Sequence, residues 1–415
     1  MQGFQPSVRG NSTNLPPMNH ARVLSFCGLL LTALPLCAVY APVPEQEQGK
    51  AWSISLRSGV MWDSNIFGGP SSRIDSEIYT LSPKVSFNAS VTEQTFISAS
   101  YQPTLDYFSD RPGDKSLFSH EFMGRVAHSF SQATTLDVFD FFQASKNPES
   151  LLPGVANADP QVLNTDQSFK RNQLDGRFST GVTEKITLSI KARTTIYRYD
   201  NATLGRNLDR TENLYGLAGS HDLLPETKLT GEYRRQTIDY RNAGENKNKT
   251  SDFLLGGIDY KAAKKLTASA RLGIEWRHRD NERNRTAPSA ELSLKYDYAK
   301  QSYLTAGYAY ALEESSDVAT YTDNQVNRFF VNVQHTITPL IVASGSVTYE
   351  PSVLQGRRGF ANINEAAVRF GAALNYLPGK NWMISATFDR DNVSSDDLAR
   401  EMVRNRFGLS ATCSF

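Results

Sequence analysis

The chain has 415 residues, and 44 Lys and Arg stand against 43 Asp and Glu for a net charge of +1. That balance offers no basic surface for nucleic acid, and beyond residue 41 no apolar run is long enough for a membrane helix. Cys27 and Cys37 fall in a leader-like segment, so only Cys413 remains downstream and no internal disulfide is expected there.

Val23 to Ala41 reads VLSFCGLLLTALPLCAVYA, an apolar stretch after His20 and Arg22 that ends in small residues, as secretory signals do. The expected organisation is a signal peptide over 1–41, starting at Met1 or Met18, then a short periplasmic linker over 42–50 and a barrel over 51–415. The cleavage point stays open, because Pro42 is unfavourable just after Ala41.

From Ala51 onward one pattern repeats: a strand of a dozen or more residues, a very short turn, another strand, a longer polar connection. Short turns are expected near Ser90–Glu93, Ser131–Gln132, Thr183–Glu184, Leu224–Glu226, Ala262–Lys264, Ala299–Lys300, Thr338–Pro339 and Leu377–Gly379. The longer connections alternate with them, from Ser64–Ile74 to Asp391–Glu401. This predicts an all-β fold, a single antiparallel transmembrane β-barrel of about 18 strands, with short periplasmic turns and longer extracellular loops. Sliding-window hydropathy misses such a chain, because only alternate residues would face lipid.

Within the strands two rows separate with a period of two. Leu266, Ala268, Ala270, Leu272, Ile274 and Trp276 form one row; Thr267, Ser269, Arg271, Gly273, Glu275 and Arg277 form the other. The polar rows supply the predicted lumen lining: Arg57, Arg125, Arg177, Arg193, Arg234, Arg271, Glu275, Arg277, Lys295, Asp297 and Arg369. Glu77 and Glu121 are placed on the same rows. Asp140 and Arg235 fall on apolar rows, which calls for a bulge or a rim position there. Aromatic girdles are expected from Trp52, Trp62, Trp276, Tyr296, Tyr308 and Trp382 near strand ends. Basic residues outnumber acidic ones on the polar rows, so the passage either favours neutral and anionic solutes or carries charges that simply pair along the wall.

The longest connection, Ser145 to Thr165, holds Pro148, Pro153 and Pro160 around an apolar middle. It is expected either to narrow the mouth or to stay outside it. No nucleotide loop, zinc spacing, calcium loop or paired nucleophile and base emerges, so no enzyme, metal or cofactor is expected. His120 and Glu121 are neighbours on a strand and point to opposite faces.

The last stretch, MVRNRFGLSATCSF, alternates to its end. Its Phe407, Leu409 and final Phe415 resemble the assembly signal of bacterial outer-membrane β-barrels. The resemblance implies the cell outer membrane, its lipid and lipopolysaccharide, and the barrel-assembly machinery as surroundings and partners. A second resemblance lies at Gly59 to Phe67 (GVMWDSNIF), which looks like the opening strand and first loop of the beta-barrel porin 2 family. Members of that family are commonly linked to exopolysaccharide production and export. It implies a porin, or an outer-membrane exit for a polysaccharide working with periplasmic export proteins. A receptor or adhesin barrel whose loops bind a partner is the competing reading. Asp63 and Asn65 in this motif are read first as turn starters, and only second as cation ligands.

Overall fold

In the computed structural model the described residues are 51–415 apart from 72, 146–167, 243–246, 263–264, 281 and 316–319. The predicted leader, the linker and most of the Ser145–Thr165 connection lie outside them.

Eighteen antiparallel strands form one sheet, each paired with its sequence neighbours. β1 (Trp52–Asp63), β2 (Ser76–Thr92), β3 (Thr95–Phe108), β4 (Ser116–Ser129), β5 (Thr134–Ser145) and β6 (Phe169–Gly181) come first. β7 (Ile186–Tyr199), β8 (Arg210–Leu224), β9 (Thr227–Tyr240), β10 (Lys249–Ala262), β11 (Leu266–Arg279) and β12 (Arg285–Ala299) follow. β13 (Ser302–Glu313), β14 (Tyr321–Thr338), β15 (Ile341–Gly356), β16 (Ile363–Gly379), β17 (Trp382–Ser395) and β18 (Met402–Ser414) complete the sheet. The last strand pairs with the first, from Ser55 opposite Ser414 to Asp63 opposite Arg406. This closure leaves no free edge, which is the condition a long alternating strand such as β18 needs to avoid pairing with other chains. The amide of Phe415 continues the ladder by donating to the Ile54 carbonyl at 2.8 Å.

Short and long connections alternate as the sequence predicts, and each of the eight short turns joins the strands expected of it. The long connections carry more order than their polar composition suggests. A helix, α1 (Ala202–Leu208), sits between β7 and β8, and a 3-10 turn at Leu398–Arg400 sits between β17 and β18.

Which row faces inward follows from geometry. Arg234 on β9 meets Glu291 on β12 at 2.9 Å, and Arg277 on β11 meets Asp323 on β14 at 2.6 Å. Side chains three strands apart diverge on the convex outside of a barrel and converge only on its concave inside. Registers then carry the assignment around the wall: Arg271 opposite Glu291 is inward, and Leu272 opposite Ala290 is outward. Leu254, Leu272, Leu217, Leu409 and Ile190, all on outward rows, are more than half exposed.

Two sequence expectations are corrected at this level. Asp140 and Arg235 do face outward, but in uninterrupted register, with no bulge and away from the rim. Each is met by a polar neighbour instead. Asn172 donates to the Asp140 carboxylate at 3.0 Å; Asp252 lies 3.5 Å from Arg235 and also accepts from the Tyr233 hydroxyl at 2.6 Å. Glu77 stands opposite Trp62 on the outward row rather than inside, where it accepts a 2.6 Å hydrogen bond from Tyr79.

Candidate functional site: the charged lumen

The inner wall is a lattice of ion pairs between neighbouring strands. Arg125 grips Asp137 through two nitrogens at 2.8 and 3.0 Å, and Arg193 meets Asp175 at 2.5 Å. Glu232 takes Lys191 at 2.9 Å from one side and Arg234 at 3.0 Å from the other. Arg271 lies across Gly257, where a Cβ would collide with it, and holds Asp259 at 2.7 and 2.8 Å. Lys295 and Asp297 pair along one strand at 3.1 Å. Arg369 reaches Glu350 and Asp391 only at 4.0 Å.

Among the residues predicted for the lumen, Arg57 and Arg177 differ. Arg57 is exposed on the inward row of β1 and has no ion pair among the described residues. Arg177 donates to Ser179 at 3.2 Å and likewise contacts no carboxylate there. Glu121, also inward, accepts from the Gln143 amide at 3.1 Å and has no ion pair among the described residues. The wall is therefore mostly neutralised, with Arg57 and Arg177 set against Glu121 in the unpaired remainder.

Toward the long-loop end the lattice tightens into a buried cluster. Lys249 meets Glu314 at 2.6 Å and Asp323 at 3.4 Å. Arg277 bridges Glu275 at 2.7 Å and Asp323, and Arg279 closes on the same Asp323 carboxylate. Tyr240 adds a 2.5 Å hydrogen bond to Glu314. Burial alone would raise the Glu314 pKa, but Lys249 and Arg277 outweigh it and hold the carboxyl below the usual range.

Loops fold over this end from several sides. In the β1–β2 connection Ile66 is buried against Ile78, Phe108 and Leu117, under an Arg111 guanidinium 5.6 Å from the Phe67 ring. Gly68 supplies the left-handed residue of that loop, at φ 64°. Leu208 at the end of α1 packs on Ile238 and Tyr240. Arg400 in the 3-10 turn pairs with Glu365 at 2.9 Å.

The GVMWDSNIF motif is part of this closure. Asp63 is wholly buried and accepts from Arg404 of β18 through both oxygens, and it also takes the Asn65 amide at 2.8 Å. Asn65 then donates to the Gly69 carbonyl at 2.8 Å and the Val403 carbonyl at 3.2 Å. Its short polar side chains thus turn the chain and fasten the first loop to the last strand.

On the outer face, Trp52 and Trp62 stand at opposite ends of β1, Trp276 at the long-loop end of β11, and Tyr296 and Trp382 at the short-turn end. Tyr308 departs from the girdle expectation. It is the seventh of the twelve residues of β13, far from either end, and its hydroxyl donates to Asn327 at 2.9 Å. The Phe407 ring lies 4.6 Å from that of Phe388, tilted by 33°, and with Leu409 and Phe415 it faces outward beside the seam. His120 also faces outward, where its Nδ1 lies 2.8 Å from the Tyr101 hydroxyl and its ring stacks on that tyrosine. No group of three or more His, Cys, Asp or Glu with metal-binding geometry occurs among the described residues.

Sequence reasoning missed the loop residues that fill the mouth: Ile66, Leu208, Glu314 and Arg400. The only signal available was an apolar or charged residue inside a polar connection, which does not say where that connection folds. Arg171, which the period of two puts on the polar row, does lie on the inward row of β6.

No protein-family model matches the chain, and no curated protein does. Solved structures similar to it include a BenF-like porin from Pseudomonas fluorescens Pf-5, at 11% identity and TM-score 0.49, over 88% of this chain and 99% of that one. OccAB3 of Acinetobacter baumannii is similar at 12% identity and TM-score 0.46, over 88% and 99%. The siderophore receptor PirA of Pseudomonas aeruginosa is similar at 10% identity and TM-score 0.44, over 88% and 80%.

Proposed function

We propose that the chain is an outer-membrane channel of porin type, a passive passage with lipid around it and water within. The observation that carries this reading is the division of one closed 18-stranded wall into an apolar outer row and an ion-paired inner row. A barrel of that strand number is too wide for its own side chains to fill. The protein performs no chemistry in this account: the wall charges orient the solute, the inward loops set its size, and flux follows the gradient.

Among the inward charges without an ion pair, Arg57, Arg177 and Arg171 outnumber Glu121, which supports passage of neutral and anionic solutes. An extracellular polysaccharide is one such solute, and that finer reading rests on the resemblance at Gly59–Phe67. The outer membrane offers lipid and lipopolysaccharide to the girdles. Phe407, Leu409 and Phe415 would serve recognition by the barrel-assembly machinery, and periplasmic export proteins would deliver a polymer. The inward packing of Ile66, Leu208 and Arg400 favours a second reading, a partner-gated receptor whose mouth stays closed until a ligand binds.

Single-channel recording of the purified barrel tests these readings. A salt gradient across the bilayer should give an anion-leaning reversal potential, and clear cation selectivity would contradict the assignment. Block by neutral and uronic-acid oligosaccharides would support the polymer exit, conductance without block a general porin, and absence of conductance the receptor.

A further inference from the structure

Six arginines are buried among the described residues: Arg171, Arg210, Arg271, Arg277, Arg400 and Arg404. Five of them meet a carboxylate: Arg210 at Glu212, Arg271 at Asp259, Arg277 at Glu275 and Asp323, Arg400 at Glu365 and Arg404 at Asp63. Arg171 does not. Its hydrogen bond among the described residues goes from Nη2 to the Gln173 amide oxygen at 2.5 Å, and its buried Nε has no partner. Gln173 cannot pass it charge, because its own amide donates to Asp175 at 2.6 Å, a carboxylate already taken by Arg193.

The surroundings of Arg171 are chosen for a cation with a ligand still to come. Its guanidinium lies 5.7 Å from the Phe141 ring and 5.8 Å from the Tyr197 ring, and the Arg210 guanidinium lies 4.0 Å from the same Tyr197 ring. Aromatic faces stabilise a guanidinium but leave its N–H groups unmet. Directly opposite Arg171 in the register stands Gln143, also inward and buried. Its amide donates to Glu121 at 3.1 Å, which leaves its buried Oε1 without a partner. An unpaired donor on a buried cation and an unpaired acceptor thus belong to one cross-strand pair. A buried charge without a counter-charge is expensive to keep, and the other five sites show that this wall supplies carboxylates readily.

We infer that Arg171, Gln143 and Phe141 form a solute-binding subsite of the lumen for a small hydroxylated carboxylate with one apolar ring face. The carboxylate would accept from Arg171, a hydroxyl would donate to Gln143 Oε1, and the C–H face of the ring would lie on Phe141. A sugar acid meets all three requirements; a neutral sugar lacks the anion and a simple short-chain acid lacks the ring and the hydroxyl. The inference rests on the channel reading for the solute's access to the lumen.

Calorimetric titration of the full-length barrel in detergent with galacturonate, glucose and acetate tests it. Galacturonate should bind at least tenfold more tightly than glucose or acetate. Arg171→Gln should weaken galacturonate tenfold or more, Arg171→Lys less than that, and Gln143→Met and Phe141→Leu severalfold each. Absence of galacturonate binding, equal binding of glucose, or unchanged affinity in Arg171→Gln would overturn the subsite. Heat-modifiable migration reports whether each variant folds; should Arg171→Gln fail, Gln143→Met and Phe141→Leu decide, and unchanged affinity in both would overturn it. Conductance separates the two claims. A barrel that binds galacturonate without conducting keeps the subsite and loses the channel, and one that conducts without binding does the reverse.

Discussion

The two rims of the barrel solve the same problem, ending a strand, in opposite ways. At the short-turn rim the chain reverses within a few residues, and the groups there are exposed: Val182, Leu224 and Leu340 are each about half open or more. At the long-loop rim the connections turn back over the lumen, bury Asp63, Ile66, Leu208 and Arg400, and half-bury Glu314. On the proposed channel reading, the difference teaches where selection of a solute would occur. A rim of minimal turns can only hold strands together, whereas a rim that folds charged residues inward adds a second, narrower set of contacts above the wall.

The largest effect that would break this contrast lies in the Asp63–Arg404 pair, where the first loop is fastened to the last strand. Removing one partner of a buried ion pair leaves the other uncompensated at a cost of about 3–5 kcal/mol. Asp63→Ala should therefore lower the denaturant midpoint of the folded barrel sharply. A midpoint unchanged from that of the parent would show that the long-loop rim does not brace the seam.

The outer wall comes next. Leu272 stands near the middle of β11 and is 57% exposed. An arginine on a lipid-facing midplane position costs about 2–4 kcal/mol, so Leu272→Arg should destabilise the barrel in lipid by about that amount in equilibrium unfolding. A neutral result would remove lipid from that face.

Acid sharpens the comparison further. Glu314 has its pKa held below the ordinary carboxylate value, so its contribution is complete above that value and is lost as the pH falls through the lowered one. The thermal midpoints of the parent and Glu314→Gln should differ at neutral pH and converge on acidification. A gap that widens toward low pH would contradict the sign. Smallest of all is the effect expected at the short-turn rim, where Lys380→Ala should change stability by no more than about 0.5 kcal/mol.

Most of the wall was legible in the sequence because a period of two is a local property. Leu266 to Arg277 declares a strand with two unlike faces wherever it lies, and turns such as Leu224–Glu226 or Thr338–Pro339 announce themselves with proline. The lumen charges were legible as a row but not as partners. Arg234 and Glu291 are 57 residues apart and meet only because the wall curves inward across the two strands between β9 and β12. The mouth was illegible for a related reason: Ile66 and Leu208 sit in polar connections, and nothing local says that these fold back onto Ile78 or Ile238. Asp140 and Arg235 misled in the other direction. A charge on an apolar row suggests a broken strand, yet Asn172 and Asp252 on neighbouring strands supply the partner without any break.

The most direct test of the account uses nitroxide labels on adjacent residues of β12, at Leu294 and Lys295, in the barrel reconstituted in bilayers with Cys413 replaced by Ser. The account predicts that the label at 294 is relaxed chiefly by oxygen, which concentrates in lipid, and the label at 295 chiefly by a water-soluble nickel chelate. Equal accessibility of both labels to the chelate would contradict it.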